Sequence, residues 1–86
     1  MSAYHLAVVA EIPDLPPASK AVLFALAYTS QDHGLTNASN GRLVELTCFS
    51  ERTVRNALRD LERRRFIVTR DPYRYAVATW NMPALS

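Results

Sequence analysis

The stretch from Ser50 to Phe66, SERTVRNALRDLERRRF, sorts its apolar and cationic residues onto opposite sides of a helix, and few folds accommodate such a segment. At about 100° per residue, placing Val54 at zero puts Leu58 near 40° and Leu61 near −20°, whereas Arg52, Asn56, Arg59 and Arg63 fall at roughly 140° to 200°. One side can pack on a core while the other reaches outward. Ser50 is a good N-cap, because its hydroxyl can accept from an otherwise unpaired first-turn amide. Glu51 suits the positive end of the helix dipole.

The side opposite the core holds no acid. Asp60 and Glu62 fall on its flanks, where Asn56 to Asp60 and Glu62 to nearby arginines fit ordinary surface pairs that leave the central row un-neutralised. Arginine forks onto guanine O6 and N7 or onto phosphate, and asparagine can bond adenine N6 and N7 together. The row therefore has the chemistry of a base-reading surface. The plainer alternative is a solvated amphipathic helix that happens to be rich in arginine.

Eighty-six residues suit one domain that buries only about 60% of the surface exposed when unfolded. A hydrophobic fraction of 49% is enough for a core. No apolar run approaches the roughly 20 residues that span a bilayer, and the first residues lack the basic start of a secretion signal. A soluble cytoplasmic, nucleoid-associated protein is expected. Cys48 stands alone, so no internal disulfide can form, and it reads as a small buried residue.

The net charge of +2 hides an uneven distribution. Up to Gly41, one lysine faces three acids; beyond it, nine arginines face five. That asymmetry points to a basic surface for a polyanion, and the exclusive use of arginine favours planar, specific contacts.

Along the chain, Ala3 to Glu11 fits a short helix, although alternation at Tyr4, Leu6, Val8 and Ala10 also fits a strand; the helix is preferred. Pro17 is placed in the first turn of the next helix, where its missing amide costs little, and that helix runs to about Thr29. It is apolar nearly all round at Leu23, Phe24, Ala27 and Tyr28, so it should be covered on several sides. Leu35 and Thr36 fit a very short strand. Ser39 then caps a helix over residues 40–47 that turns Leu43, Val44 and Leu46 inward. Only Cys48 and Phe49 separate it from Ser50, which makes the pair a helix-turn-helix. Phe66 to Thr69 and Tyr75 to Trp80 read as two strands of an antiparallel hairpin, with Asp71 and Pro72 at positions i and i+1 of a type I turn. Arg70 and Arg74 flank its tip, suited to a phosphate backbone. Residues 81–86 read as a tail. The expected architecture is α+β and mainly helical, with residues 15–80 as the core and 1–14 as an N-terminal helix or arm.

This order of elements resembles the winged helix-turn-helix family. SERTVRNALRDLERRRFI, Ser50 to Ile67, is similar to the pattern S-x-x-T-V-x-x-x-L-x-x-L-x-x-x-G-x-I found in small bacterial and phage regulators and in replication initiators. LPPASKAVLFALAYTSQDHG, Leu15 to Gly34, resembles the first long helix of that group. The resemblance implies a three-helix core with a hairpin wing. It implies base contacts from Arg52, Thr53 and Asn56, backbone contacts from Ser50, Arg59 and Arg63, and wing contacts from Arg70 and Arg74. The family often has glycine before the capping serine and after the recognition helix, where this chain has Cys48 or Phe49 and Arg65. A left-handed backbone at either place would cost a non-glycine residue about 1 to 2 kcal/mol.

No nucleophile with a base, paired carboxylates or metal cluster is evident, and two glycines cannot build a phosphate-cradling loop. His5 and His33 read as isolated. No catalysis, cofactor or small-molecule ligand is expected. Tyr28, Tyr73, Tyr75 and Trp80 read as core and hairpin packing rather than a base-stacking platform. The favoured function is sequence-specific binding of double-stranded DNA by a small transcriptional regulator. Replication-origin binding is an alternative, and a rival is a winged-helix interaction module for an acidic protein. Leu6, Val8, Phe24 and Tyr28 are candidate contacts of a homodimer, or else simply complete a small core.

Overall fold

The structure, a computed structural model, describes residues 3–78; Trp80 and the tail lie outside the described residues. Helix α1 spans Ala3–Glu11 and α2 spans Pro17–Thr29. A 3-10 turn at Asp32–Gly34 leads into strand β1, Leu35–Thr36. Helices α3, Asn40–Thr47, and α4, Glu51–Arg63, precede strands β2, Ile67–Arg70, and β3, Tyr73–Val77. The N-terminal segment is thus helical, not a strand.

Local chemistry sets these boundaries. Pro17 opens α2, and the Lys20 amide donates to the Pro16 carbonyl at 2.9 Å. Lys20 also closes α1: its ammonium donates to the carbonyls of Ala10 at 3.1 Å and Ile12 at 3.0 Å, placing a cation at that helix's negative end. Ser39 accepts from the Arg42 amide at 3.1 Å, capping α3. At the far end of α4, the Phe66 amide reaches back to Leu61 and that of Arg65 to Glu62, both at 3.0 Å, which is a Schellman motif with Arg65 in the position usually held by glycine.

The three strands form an antiparallel sheet in the order β1-β3-β2. Helix α2 lies at the centre, packing against α1, α3 and α4, as its all-round apolar middle requires. Leu23, Leu26, Leu43, Val54, Leu61 and Ile67 are essentially inaccessible to solvent. Each such side chain contributes about 1.5 to 3 kcal/mol relative to an exposed one. Thr29 and Thr36 bring their hydroxyls to 2.8 Å, joining the end of α2 to β1.

Several expectations need correction. Cys48 is exposed: it ends α3 at φ 61°, a left-handed residue in the three-residue connection between the two helices. Arg65 has φ 65°, so both places where related sequences often carry glycine do require the left-handed backbone. The hairpin tip is not a type I turn with Asp71 first. Arg70 pairs with Tyr73, so Asp71 and Pro72 are the two loop residues, and their peptide bond is cis. Proline third in the turn would force its predecessor out of the conformation that type I needs. Val8 is buried and belongs to the core, which removes it from any dimer surface, while Tyr28 is 47% exposed rather than packed inside.

Candidate nucleic-acid interface

Helix α4 is held by its apolar side. Val54, Ala57, Leu58 and Leu61 are buried, and Arg52, Asn56, Arg59 and Arg63 are exposed, as the angular separation in the sequence predicts. Its start is fixed by Ser50, whose Oγ accepts from the Thr53 amide at 3.1 Å and donates to the Thr53 hydroxyl at 3.0 Å. These two side chains therefore engage one another in the free protein and brace the first turn.

The exposed cations divide into paired and unpaired groups. Asp60, whose side chain is only 15% exposed, receives Arg63 at 2.6 Å and Arg64 Nε at 3.0 Å. It also accepts from the buried Ser19 hydroxyl at 2.7 Å, which ties α2 to α4. Burial alone would raise the Asp60 carboxyl, but hydrogen bonds from Ser19, Arg64 and Arg63 outweigh it and hold the group below the ordinary carboxylate value. The flank acid thus engages Arg63, one of the row's own members, and shares its single charge between Arg63 and Arg64, while the pair expected between Asn56 and Asp60 does not form. Arg55 leans on Glu51 at 3.7 Å. Among the described residues, Arg52 and Arg59 have no carboxylate within ion-pair distance, and Asn56 has no hydrogen-bond partner. Asn56, Arg59, Asp60 and Arg63 line a shallow hollow of about 180 Å³ on this face.

The hairpin brings Arg70 and Arg74 to the surface in different ways. Arg70 is exposed at the end of β2. Arg74 turns aside: its Nη2 donates to Asn40 Oδ1 at 3.3 Å, and its guanidinium lies 6.0 Å from the Tyr75 ring centroid. It is thereby drawn to the start of α3 instead of projecting from the tip. No sequence signal marks Asn40, because only the fold brings it within reach of a residue 34 positions away. Tyr73 adds a bond to Gln31 at 3.3 Å.

His5 and His33 are not isolated from each other. His5 is buried, and burial, followed by the like charge of His33, pushes its imidazole below the usual value. Gly34 explains the closeness: at φ 76°, a Cβ placed there would stand 2.8 Å from His5 Nε2.

Two helices joined by a tight turn, the second presenting arginines and followed by a β-hairpin, define a winged helix-turn-helix unit. The family model described as "Helix-turn-helix domain" matches residues 14–67, more than half of the chain. The protein belongs to that helix-turn-helix family, which makes DNA its expected class of partner. No curated protein and no solved structure matches the chain. No helix among the described residues is long and apolar enough to cross a membrane.

Proposed function

We propose that the protein binds duplex DNA sequence-specifically by laying α4 into the major groove, and that it serves as a small transcriptional regulator whose effect comes from occupying an operator. The observation that carries this reading is the row of Arg52, Asn56 and Arg59, exposed on a capped helix whose other side is locked into the core. Guanidinium and carboxamide groups left unengaged in the free protein can meet base edges and phosphates without breaking an internal bond. Arg63, Arg70 and Arg74 supply further backbone contacts, with Ser50 and Thr53 setting the entry of the helix. The whole chain acts as one unit.

Suppose about five phosphates are neutralised. Affinity then falls with a logarithmic slope near −4.5, or about 500-fold between 50 and 200 mM salt. Shift assays of the wild type and an Arg52→Ala, Asn56→Ala double variant, on random duplexes and on a selected site, test the reading. Loss of preference for the selected site is expected of the double variant. Negligible binding of every duplex by the wild type would favour the acidic-protein partner instead.

A lone module buries only about 600 to 1,000 Å² on DNA, which limits its specificity. Leu6, Phe24, Tyr28 and Leu46 line an apolar groove of about 480 Å³ between α1, α2 and α3 that suits a homodimer contact. Sedimentation showing only monomer at high micromolar concentration would remove the dimer. A replication-origin role would differ in the genomic position of the site, not in the contacts.

A further inference from the structure

Resting on that reading, we infer that base recognition is confined to the first two turns of α4. It consists of a guanine read by Arg52 and an adenine read by Asn56, in base pairs within two steps of each other. Among the arginines and the asparagine of the helix, internal bonding leaves these two residues and Arg59 unengaged. Ser50 and Thr53 are bonded to one another. Arg55 is paired with Glu51, and Arg63 and Arg64 with Asp60. Arg63 could reach a base only by leaving a carboxylate that Ser19 holds in place from α2. Asp60 therefore acts as a positioning residue that keeps the last turn of the helix out of base reading.

The geometry of a helix places the two readers side by side. Four residues advance about 6 Å and rotate about 40°, so Arg52 and Asn56 project along nearly the same line. The duplex advances about 3.4 Å per base pair, so that separation covers at most two steps. Arg59 lies on the same face but about 10.5 Å from Arg52 along the axis. The N-terminal part of such a helix is the part that meets base edges, and so Arg59 falls to the phosphate backbone. Arginine matches guanine O6 and N7 with two parallel donors, and asparagine matches adenine N7 and N6 with one donor and one acceptor.

Selection from a randomised duplex pool, run with the wild type, Arg52→Ala, Asn56→Ala and Asn56→Arg, tests this assignment. The wild type should enrich a site in which a guanine and an adenine lie within two steps. Arg52→Ala should lose the guanine preference alone and Asn56→Ala the adenine preference alone, each by about 5- to 150-fold. Asn56→Arg should convert the adenine position to guanine, a gain that an unfolded variant cannot imitate. A wild-type site whose relaxed positions are other bases, or which neither alanine variant relaxes, overturns the assignment and leaves sequence-specific binding standing. A pool that gains no consensus overturns both.

Discussion

Ser19 and Asp60, 41 residues apart in the chain, meet at 2.7 Å, the hydroxyl of α2 donating to the carboxylate of α4. Because Asp60 also holds Arg63 and Arg64, the bond fixes the rotation of α4 on the core and the layout of charge on its exposed face. Hydrogen bonds to charged groups contribute about 1.5 to 3 kcal/mol each, and Ser19 is buried, so water does not replace the lost donor. Ser19→Ala should destabilise the fold by about that amount in urea unfolding, with an unchanged m value. A loss under 0.5 kcal/mol would mean that the bond does not anchor the helix.

Acid should weaken the protein in two stages. Burial, then the charge of His33, depress His5, so as pH falls below about 6.5 the unfolded chain takes up that proton first and the native state loses stability. The loss is complete once pH has passed below the native value. Asp60 is also depressed, since its hydrogen bonds outweigh its burial. Its contribution is present above about 3.9 and disappears as pH falls through the lower native value. Unfolding free energies of wild type, His5→Gln and Asp60→Asn from pH 7.5 to 3 should show the first stage missing in one variant and the second missing in the other.

Arg59 and Arg63 look equivalent in the sequence but should not behave alike on DNA. Arg59→Ala removes an uncompensated cation and should reduce the salt slope by about 0.9, weakening all duplexes alike. Arg63→Ala removes one that is bonded to Asp60 at 2.6 Å and must give up that bond to meet a phosphate, so its effect should be smaller. Titrations at several salt concentrations check the ranking, and equal slopes would show that Arg63 leaves Asp60 on binding.

Cys48 and Arg65 adopt φ 61° and 65°, where a side chain costs about 1 to 2 kcal/mol and glycine costs nothing sterically. Part of the gain on substitution is lost to the greater freedom of glycine in the unfolded chain. Cys48→Gly and Arg65→Gly should each stabilise by about 0.5 to 1 kcal/mol, seen as a rise in Tm by calorimetry. Gly34→Ala should do the reverse, since its methyl would stand 2.8 Å from His5 Nε2 at an unfavourable φ.

The helices were legible because their signals are local. Pro17 opens α2, Ser39 and Ser50 cap α3 and α4, and the 3.6-residue period of Val54, Leu58 and Leu61 marks the buried side. The left-handed sites could be anticipated from where related sequences place glycine. What was not legible depends on chain segments far apart. Nothing near Asp60 announces Ser19, and without that partner the acid reads as a flank charge and not as the group that engages Arg63. Arg74 likewise turns towards Asn40 only because the sheet folds beside the start of α3. Turn register at Asp71 and Pro72 is not set locally, because it rests on which residues pair across β2 and β3.

Whether the exposed row of α4 is the surface that meets DNA can be read most directly from amide NMR shifts as a short duplex is added to the labelled protein. Perturbations should concentrate between Ser50 and Arg59, with weaker ones at Asn40, Arg70 and Arg74, and should reverse when salt is raised. Shifts centred instead on the groove of Leu6, Phe24 and Tyr28, or a spectrum indifferent to duplex at low salt, would contradict DNA binding through this helix.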